Sequence, residues 1–325
     1  MKTIDILRSA LGEYGYTFTT YRLGRDQKSF TKVHNPEAGA ALTFSTDSPL
    51  YPFSTASSRL ICNNKAMAYE FADLHGVNTP QSVYVYAKDS MDAALNLLET
   101  RGRVIVKPGS SSLSNGLTLD VTDSASLVAA ITKAFQFSDS VIVQEQIIGD
   151  EIRFVVVDGA TRAAILRQTP RIVGDGVSTV AELIESENNE REKITDTMVA
   201  YPAIDGVSAG VDASAVPENG QVLELGRGTM IKDGASMYDV FAHVDRSYIE
   251  HVDRLASALG KGFVVVDMMV RDYKQAASQD NYAFIEFNST PALQLFYSCR
   301  DGQHFKVAED YLAPMINKVI RGNYL

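Results

Sequence analysis

The sequence has little cysteine, no long apolar run and a deficit of positive charge. Only Cys62 and Cys299 occur among its 325 residues, which excludes a disulfide scaffold and fits a reducing compartment. No apolar segment reaches the roughly 20 residues that a membrane helix requires. The first fifteen residues also lack the apolar stretch of a secretory signal. We therefore expect a cytoplasmic protein that has no membrane partner.

Acidic residues outnumber basic residues. The chain has 30 lysines and arginines against 40 aspartates and glutamates, which gives a net charge of −10. This balance argues against nucleic acid as a partner, although a few placed cations can still hold an anion in one pocket. The chain shows no internal repeat and no low-complexity tract. Its length predicts about two domains and is sufficient to bury a substantial core.

Hydrophobic periodicity divides the chain into an irregular first part and a regular remainder. The first 60 residues contain one helix-like stretch, residues 3–14, and a second helix follows Asn63 or Asn64 and stops near Gly76. The later helices are predicted at 90–102, 124–135, 179–191, 247–259 and 303–320. The strands are predicted at 79–87, 103–108, 117–121, 140–147, 151–159, 161–169, 262–270 and 282–288. Residues 201–246 are predicted to be rich in loops, with an apolar run at 222–225.

The segment RVIVKPGSSSLSNGLTL is the first candidate for chemistry. Lys107 ends an apolar strand, and a loop of small residues follows it. Backbone N–H groups in such a loop can surround a phosphate, to which the lysine adds a point charge. The order differs from that of the P-loop, because the lysine precedes the small residues. A solvated hairpin loop after a strand-end lysine is an equally good interpretation of this segment by itself.

A second candidate is the polar set Asp267, Glu286 and Asn288, which lies within otherwise apolar strands. Burying a single charge in such a strand costs several kcal/mol. Glu286 and Asn288 are two residues apart and therefore share one face of their strand. Carboxylate and amide oxygens on one face suit Mg²⁺. The alternative is an ion pair with a nearby lysine or arginine, and the apolar strands favour the metal.

The third candidate is VIVQEQIIGDEIRF, in which a strand leads through a glycine turn into a second strand. Backbone groups at this crossover could line an adenine edge, and Glu151 could reach a ribose hydroxyl. A salt-bridged hairpin is the better interpretation of this segment if it is taken in isolation.

In this order, the motifs resemble the ATP-grasp superfamily over residues 60–297, especially the ATP-grasp modules of cyanophycin synthetase and bifunctional glutathione synthetase. The most specific stretch is RIVGDGVSTVAELIE, residues 171–185. KPGSSSLSNGL resembles the flexible phosphate loop, and FIEFNSTPAL resembles the metal motif. The resemblance implies an α+β ATP-grasp fold, in which two α+β subdomains hold the nucleotide. We expect an N-terminal substrate-side region at 1–78, a lid at 79–146 and a C-terminal subdomain with the metal site at 147–325.

The resemblance also assigns roles to individual residues. Those implied to contact the nucleotide are Lys65, Lys107, the loop residues Ser110, Ser111, Ser112 and Gly116, the hinge residues Gln144, Glu145 and Ile147, and the ribose acid Glu151. Asp267, Glu286 and Asn288 are implied to hold two Mg²⁺ ions, for which Mn²⁺ can substitute. Arg153, Arg167 and Arg227 are implied to lie near phosphate or substrate and to act in catalysis.

The sequence departs from the family pattern at three places. Gln144 stands where an acid is common, and Ala292 replaces the usual glycine after Pro291. The arginine that some relatives carry just before the Asp267 strand end is absent, and Arg227 is the candidate to replace it.

The activity implied is ligation of a carboxylate to an amine, with ATP forming an acylphosphate and with ADP and phosphate as products. The substrates implied are small molecules, namely amino acids or a small peptide. A small-molecule kinase and a non-catalytic nucleotide-binding subunit are the alternatives. The oligomeric state stays open, with a homodimer considered because dimers are common in similar ligases.

Overall fold

The computed structural model describes residues 2–23, 28–37, 39–45, 54–86, 91–110, 115–194, 197–205, 210–301 and 305–322. The helices are α1 (Thr3–Gly12), α2 (Ala56–Asn63), α3 (Lys65–Leu74), α4 (Asp92–Arg101), α5 (Ser124–Ala134), α6 (Val180–Glu192), α7 (Arg246–Leu259) and α8 (Ala313–Ile320). The strands are β1 (Thr17–Leu23), β2 (Lys28–Asn35), β3 (Ala40–Ser45), β4 (Ser82–Tyr86), β5 (Val104–Pro108), β6 (Thr118–Val121), β7 (Ser140–Glu145), β8 (Asp150–Val157), β9 (Ala160–Gln168), β10 (Arg171–Val173), β11 (Val222–Glu224), β12 (Ser236–Asp239), β13 (Phe263–Val270) and β14 (Tyr282–Asn288).

The N-terminal part is more regular than predicted. Helix α1 forms within the expected stretch, but β1, β2 and β3 then build a three-stranded antiparallel sheet in a region predicted to be irregular. In β2 the buried residues alternate as Thr31, Val33 and Asn35. Two of these three are polar, so the period of two that marks a strand is hidden from a hydrophobicity pattern.

The helix predicted after Asn63 or Asn64 is α3. Asn64 is its N-cap and separates it from α2. Asn64 has an extended backbone, and its side chain accepts a hydrogen bond from the Met67 N–H at 3.0 Å. This N-cap satisfies one of the open N–H groups at the start of α3. Helix α3 therefore starts at Lys65 and stops before Gly76, whose φ of 67° is the left-handed conformation that glycine adopts readily.

The middle of the chain forms a four-stranded antiparallel sheet in the order β4-β7-β5-β6. Helices α4 and α5 pack against it, and their alanine and leucine side chains meet the valines of the strands in one apolar core. Every strand and helix predicted from residue 79 to residue 147 is present, with ends that differ by a few residues.

A five-stranded antiparallel sheet in the order β12-β9-β8-β13-β14 forms the other half of the fold. The predicted hairpin of β8 and β9 is confirmed, and its turn residues Asp158 and Gly159 have φ values of 54° and 73°. Helices α3 and α7 bury one face of this sheet. Helices α1 and α8, with the segment Leu293–Tyr297, bury the apolar end of the other face.

The segment between β9 and β12 carries β10, α6 and β11. Strand β10 pairs with β11, and Thr179 and Glu182 cap the N-terminus of α6 reciprocally. The terminal helix is shorter than predicted, because a π-helical stretch, Ala308–Leu312, precedes α8. The fold class is α+β, as predicted. Among the described residues, none of the helices combines the length and the apolar character that a membrane crossing requires.

Candidate functional site

A row of charged side chains crosses one face of the five-stranded sheet. Arg167 of β9 pairs with Glu151 of β8, Arg153 of β8 pairs with Asp267 of β13, and Asp267 pairs with Glu286 of β14. Residues opposite each other on paired strands share a face, as do Glu151 and Arg153, which are two residues apart on β8. These five side chains therefore lie on one face of the sheet. We call them the charged row.

The centre of the charged row is a buried ion pair. The Arg153 guanidinium donates from Nε to Asp267 Oδ1 at 2.9 Å and from Nη2 to Oδ2 at 2.7 Å. Arg153 and Asp267 are only 4% and 1% exposed. Burial raises the pKa of Asp267 to about 6, while the charge of Arg153 acts in the opposite direction. For Asp267, the ion pair considered from sequence is therefore present.

Glu151 is held by an arginine and a hydroxyl. Arg167 donates to one carboxylate oxygen, and the Thr229 hydroxyl donates to the other at 2.6 Å. Burial opposes ionisation, but the guanidinium groups of Arg167 and Arg153 and the Thr229 hydroxyl hold the pKa of Glu151 below its ordinary value. The salt-bridged hairpin considered from sequence is thus present as well. Sequence reasoning missed Thr229, which lies 78 residues from its partner.

The β14 end of the charged row is open to solvent. The Glu286 side chain is 38% exposed, and its Oε2 lies 3.7 Å from Nζ of Lys65 at the start of α3. Asn288, two residues along the strand, is half-buried. The structure therefore places Lys65 beside Glu286, which lies opposite Asp267 on the neighbouring strand.

Lys107 is buried in a polar network that joins the two halves of the fold. Its Nζ donates to Tyr69 Oη at 2.7 Å and to Gln144 Oε1 at 2.9 Å. Gln144 in turn donates to Ser82 Oγ at 2.7 Å. Burial lowers the pKa of Lys107 to about 8, against the opposing charge of Glu286. The side chain predicted to meet adenine, Gln144, is here the group that positions Lys107.

The other hinge residues face different surroundings. The Glu145 carboxylate accepts from the Gln81 N–H at 2.9 Å and lies 3.2 Å from Arg101 Nε. Glu145 and Ile147 also line a cavity of about 630 Å³ on the β4 side of the hinge. Tyr69 and Ser82 line the same cavity, so it borders the Lys107 network.

Two glycines bracket the predicted phosphate loop. A Cβ on Gly109 would collide with Ser140, and a Cβ on Gly116 would lie 2.7 Å from both Phe137 and Pro108. Gly116 also has a φ of 77°. The Ser110 hydroxyl lies 3.1 Å from Ser138 Oγ. The predicted loop residues Ser111 and Ser112 lie outside the described residues.

Arg227 lies at the edge of this arrangement. Its guanidinium pairs with Asp120 of β6, and its side chain is 62% exposed. The structure therefore places Arg153 and Arg167 within the charged row, whereas Arg227 lies in the loop after β11 and contacts the edge strand β6 of the four-stranded sheet.

The oxygen donors of the charged row fit a hard cation. Within the described ranges, no cluster of three or more His, Cys, Asp or Glu side chains has metal-binding geometry. The predicted metal set instead combines two carboxylates, Asp267 and Glu286, with the amide of Asn288. Mg²⁺ characteristically binds one or two carboxylates and completes its shell with phosphate oxygens and water. The donor set is therefore suited to magnesium that arrives with a nucleotide.

The chain is similar to several known proteins. No family model matches the chain. The glutathione biosynthesis bifunctional protein GshAB of Mannheimia succiniciproducens is 25% identical over 276 residues, which cover 81% of this chain and 36% of that protein. This chain spans about a third of the length of the curated relatives it matches.

Solved structures share the fold. A bifunctional glutathione synthetase from Pasteurella multocida superposes with a TM-score of 0.58 at 23% identity, over 93% of this chain and 42% of that one. A D-alanine–D-alanine ligase from Bacillus anthracis superposes with a TM-score of 0.52 at 17% identity, over 83% of this chain and 71% of that one. The chain therefore has the ATP-grasp fold, and it is similar in sequence to the bifunctional enzymes of glutathione biosynthesis.

Proposed function

We propose that this protein is an ATP-dependent carboxylate–amine ligase whose substrates are amino acids or a small peptide. The observation that carries the proposal is the charged row, which places Asp267 opposite Glu286 on neighbouring strands, with Lys65 Nζ 3.7 Å from Glu286 Oε2. The ion pair of Lys65 with Glu286 is long, and the Glu286 side chain is 38% exposed. A ligand can therefore reach this carboxylate, beside Asn288.

The nucleotide would lie between the two sheets, with residues 79–146 as the lid over residues 147–325, and residues 1–78 on the substrate side. Lys65 and Lys107 supply positive charge to the phosphates. The loop 109–116 closes over them and excludes water, which would otherwise hydrolyse a reactive intermediate. The backbone at Glu145 and Ile147 borders the adenine. Glu151 is directed to the ribose once Arg167 and Thr229 release one of its oxygens.

Asp267, Glu286 and Asn288 would hold two Mg²⁺ ions, with Mn²⁺ able to replace them. When bound, the metal neutralises phosphate charge as it develops during transfer. Arg153 keeps both oxygens of Asp267 in a fixed orientation. Arg167 does the same for Glu151, so the two arginines act chiefly by positioning the acids of the row.

The reaction has two steps. A substrate carboxylate oxygen attacks the γ-phosphorus of ATP, the bond to the β-γ bridging oxygen breaks, and ADP leaves. The nitrogen of the amine then attacks the acyl carbon, loses a proton, and expels inorganic phosphate. The side chains of Lys65 and Lys107 offset negative charge in the first step. Removing one such preorganised donor typically costs about 2.7–4 kcal/mol of transition-state stabilisation.

We further propose that the protein acts in the cytoplasm on small molecules, without a nucleic-acid partner. Two observations support this location and partner class: Cys62 and Cys299 are both free thiols, and the net charge is −10. A homodimer stays a prediction, which sedimentation of the purified protein would measure.

The function is tested by incubating the protein with MgATP and pooled amino acids and dipeptides, followed by mass spectrometry. We expect ADP, phosphate and a new mass equal to two substrates less one water. A phosphorylated acceptor would instead identify a kinase. ATP that stays bound and intact with every pool would favour a nucleotide-binding subunit.

A further inference from the structure

Asp120 occupies a bulge on the edge strand of the four-stranded sheet. Val121 pairs with Val104, and Thr118 pairs with Val106, so two residues of β6 lie opposite one residue of β5. Asp120 has a φ of 56°, in the left-handed region that non-glycine residues rarely adopt. Bulges of this kind redirect a side chain and are common beside functional sites.

Three side chains from different parts of the chain converge on the redirected carboxylate. Arg103 Nη1 donates to Asp120 Oδ1 at 2.7 Å, and Gln146 Nε2 donates to the same oxygen at 3.1 Å. Gln146 Oε1 also accepts from the Asp120 N–H at 2.8 Å. Arg227 pairs with the second oxygen, Oδ2. Arg103 precedes β5, and Gln146 directly follows β7.

Arg227 is the one member of this group that comes from beyond the hinge. It belongs to the loop 226–235, which the C-terminal subdomain holds at two further points. Thr229 donates to Glu151, and the Gly234 carbonyl accepts from Arg191 at 2.8 Å. The Arg227–Asp120 contact therefore joins this loop to the sheet that carries the phosphate loop.

We propose that Asp120 is a positioning residue that latches the lid to the loop 226–235 and so slows the release of nucleotide. The proposal rests on the proposed function, because it requires a nucleotide between the two sheets. Both side chains are open to solvent, with 29% of Asp120 and 62% of Arg227 exposed. An exposed ion pair is weak and sensitive to salt, which suits a contact that must break in every catalytic cycle.

The experiment is a double-mutant cycle on nucleotide dissociation. The Asp120→Asn, Arg227→Gln and doubly substituted proteins are loaded with Mg²⁺ and a fluorescent ADP analogue, and the dissociation rate is measured by stopped flow. We expect each single variant to release nucleotide about two- to fivefold faster. The double variant should be no faster than the single variants, because all three lack the same contact.

A purely structural role would give a different result. In 0.5 M salt the wild-type rate should rise to that of the variants, whereas a loss of folding would not respond in this way. Arg246→Gln is the matched control, since it removes an exposed arginine that pairs with Glu250 on α7. Equal dissociation rates in all variants, or additive effects, would overturn the latch and leave the ligase proposal intact. Slow release that depends on the pair, in a protein that forms no amide, would uphold the latch and overturn the ligase.

Discussion

The Arg153 guanidinium donates hydrogen bonds to both carboxylate oxygens of Asp267 on the neighbouring strand, and both side chains are almost completely buried. The pair is the centre of a row of charged side chains that crosses four strands. Its burial makes each partner dependent on the other, because a single charge left in this position would lack both water and a counter-charge.

Replacing Arg153 by Met should therefore destabilise the protein strongly. We expect the free energy of unfolding to fall by about 3–5 kcal/mol, since Asp267 loses its counter-charge. Urea unfolding followed by circular dichroism measures this change. The double substitution Arg153→Met with Asp267→Leu should recover most of the loss, whereas Arg246→Met on the surface should change stability by less than about 0.5 kcal/mol. A double variant as unstable as the single one would show that the pair is not the source of the effect.

Glu286→Gln should remove activity without removing the fold. The carboxylate is 38% exposed, so its neutralisation costs little stability, but the amide is a poorer partner for a divalent cation. We expect kcat for ADP formation to fall about 10²–10³-fold, with an unchanged melting temperature. Glu250→Gln, an exposed acid on α7, is the control and should retain full activity. A Glu286→Gln protein with normal turnover would contradict the metal assignment.

Lys107 should couple nucleotide binding to proton uptake. Burial lowers its pKa from 10.5 to about 8, while the charge of Glu286 opposes this shift and the neighbouring Tyr69 hydroxyl stays neutral, with a pKa of about 12. Phosphate charge beside the amine raises the lysine pKa again. At pH 8.5 we therefore expect MgATP binding to take up roughly 0.7 of a proton, and at pH 6.5 almost none. Calorimetry in two buffers of different ionisation enthalpy measures the uptake.

The lowered pKa of Lys107 also makes the free energy of unfolding depend on pH. Between pH 8 and 10.5 the unfolded chain holds more protons at Lys107 than the folded chain does. The contribution of this residue to the free energy of unfolding consequently rises with pH across that window. Lys107→Met should abolish both the proton uptake and this part of the trend. Uptake that survives in Lys107→Met would assign it to another group.

Gly149→Ala tests the crossover between the hinge and β8. A Cβ at this position would lie 2.5 Å from the carbonyl oxygen of Val270, and backbone cannot move aside as a side chain can. We expect a loss of about 1–3 kcal/mol in stability and weaker nucleotide binding, because the hinge must shift. Gly12→Ala is the control, since nothing lies within 4 Å of its added Cβ. Thermal unfolding and nucleotide titration of both variants distinguish the two sites.

Local signals in the sequence predicted the elements that local physics determines. The Asp158–Gly159 turn and the Asn64 cap were identifiable because their conformations depend on their own side chains. The sheet formed by β1, β2 and β3 escaped prediction because its buried positions include Thr31 and Asn35. Those residues are buried with polar partners, since the Thr31 hydroxyl lies 3.1 Å from that of Thr20 and the Asn35 amide donates to the Tyr14 carbonyl at 3.0 Å.

The same distinction between local and distant determinants applies to the candidate site. The residues Asp267, Glu286 and Lys107 were identifiable because a charge in an apolar strand needs an explanation. Their partners were not, since Thr229 is 78 residues from Glu151 and Asp120 is 107 residues from Arg227 in the chain. No pattern in a single sequence indicates which distant side chains will meet. For Gln144, the motif identified the position, but the fold determined that its amide holds a lysine.

The confinement of the charged row to one face also has a consequence for assembly of the sheet. Side chains on successive residues of a strand point to opposite faces, so a slip of one residue in β8 or β13 would turn Arg153 or Asp267 into the apolar layer beneath α3 and α7. Each misaligned pairing would bury a charge against valine and phenylalanine and would therefore be energetically unfavourable. The charged side chains of the row therefore also favour the native strand alignment while the chain folds.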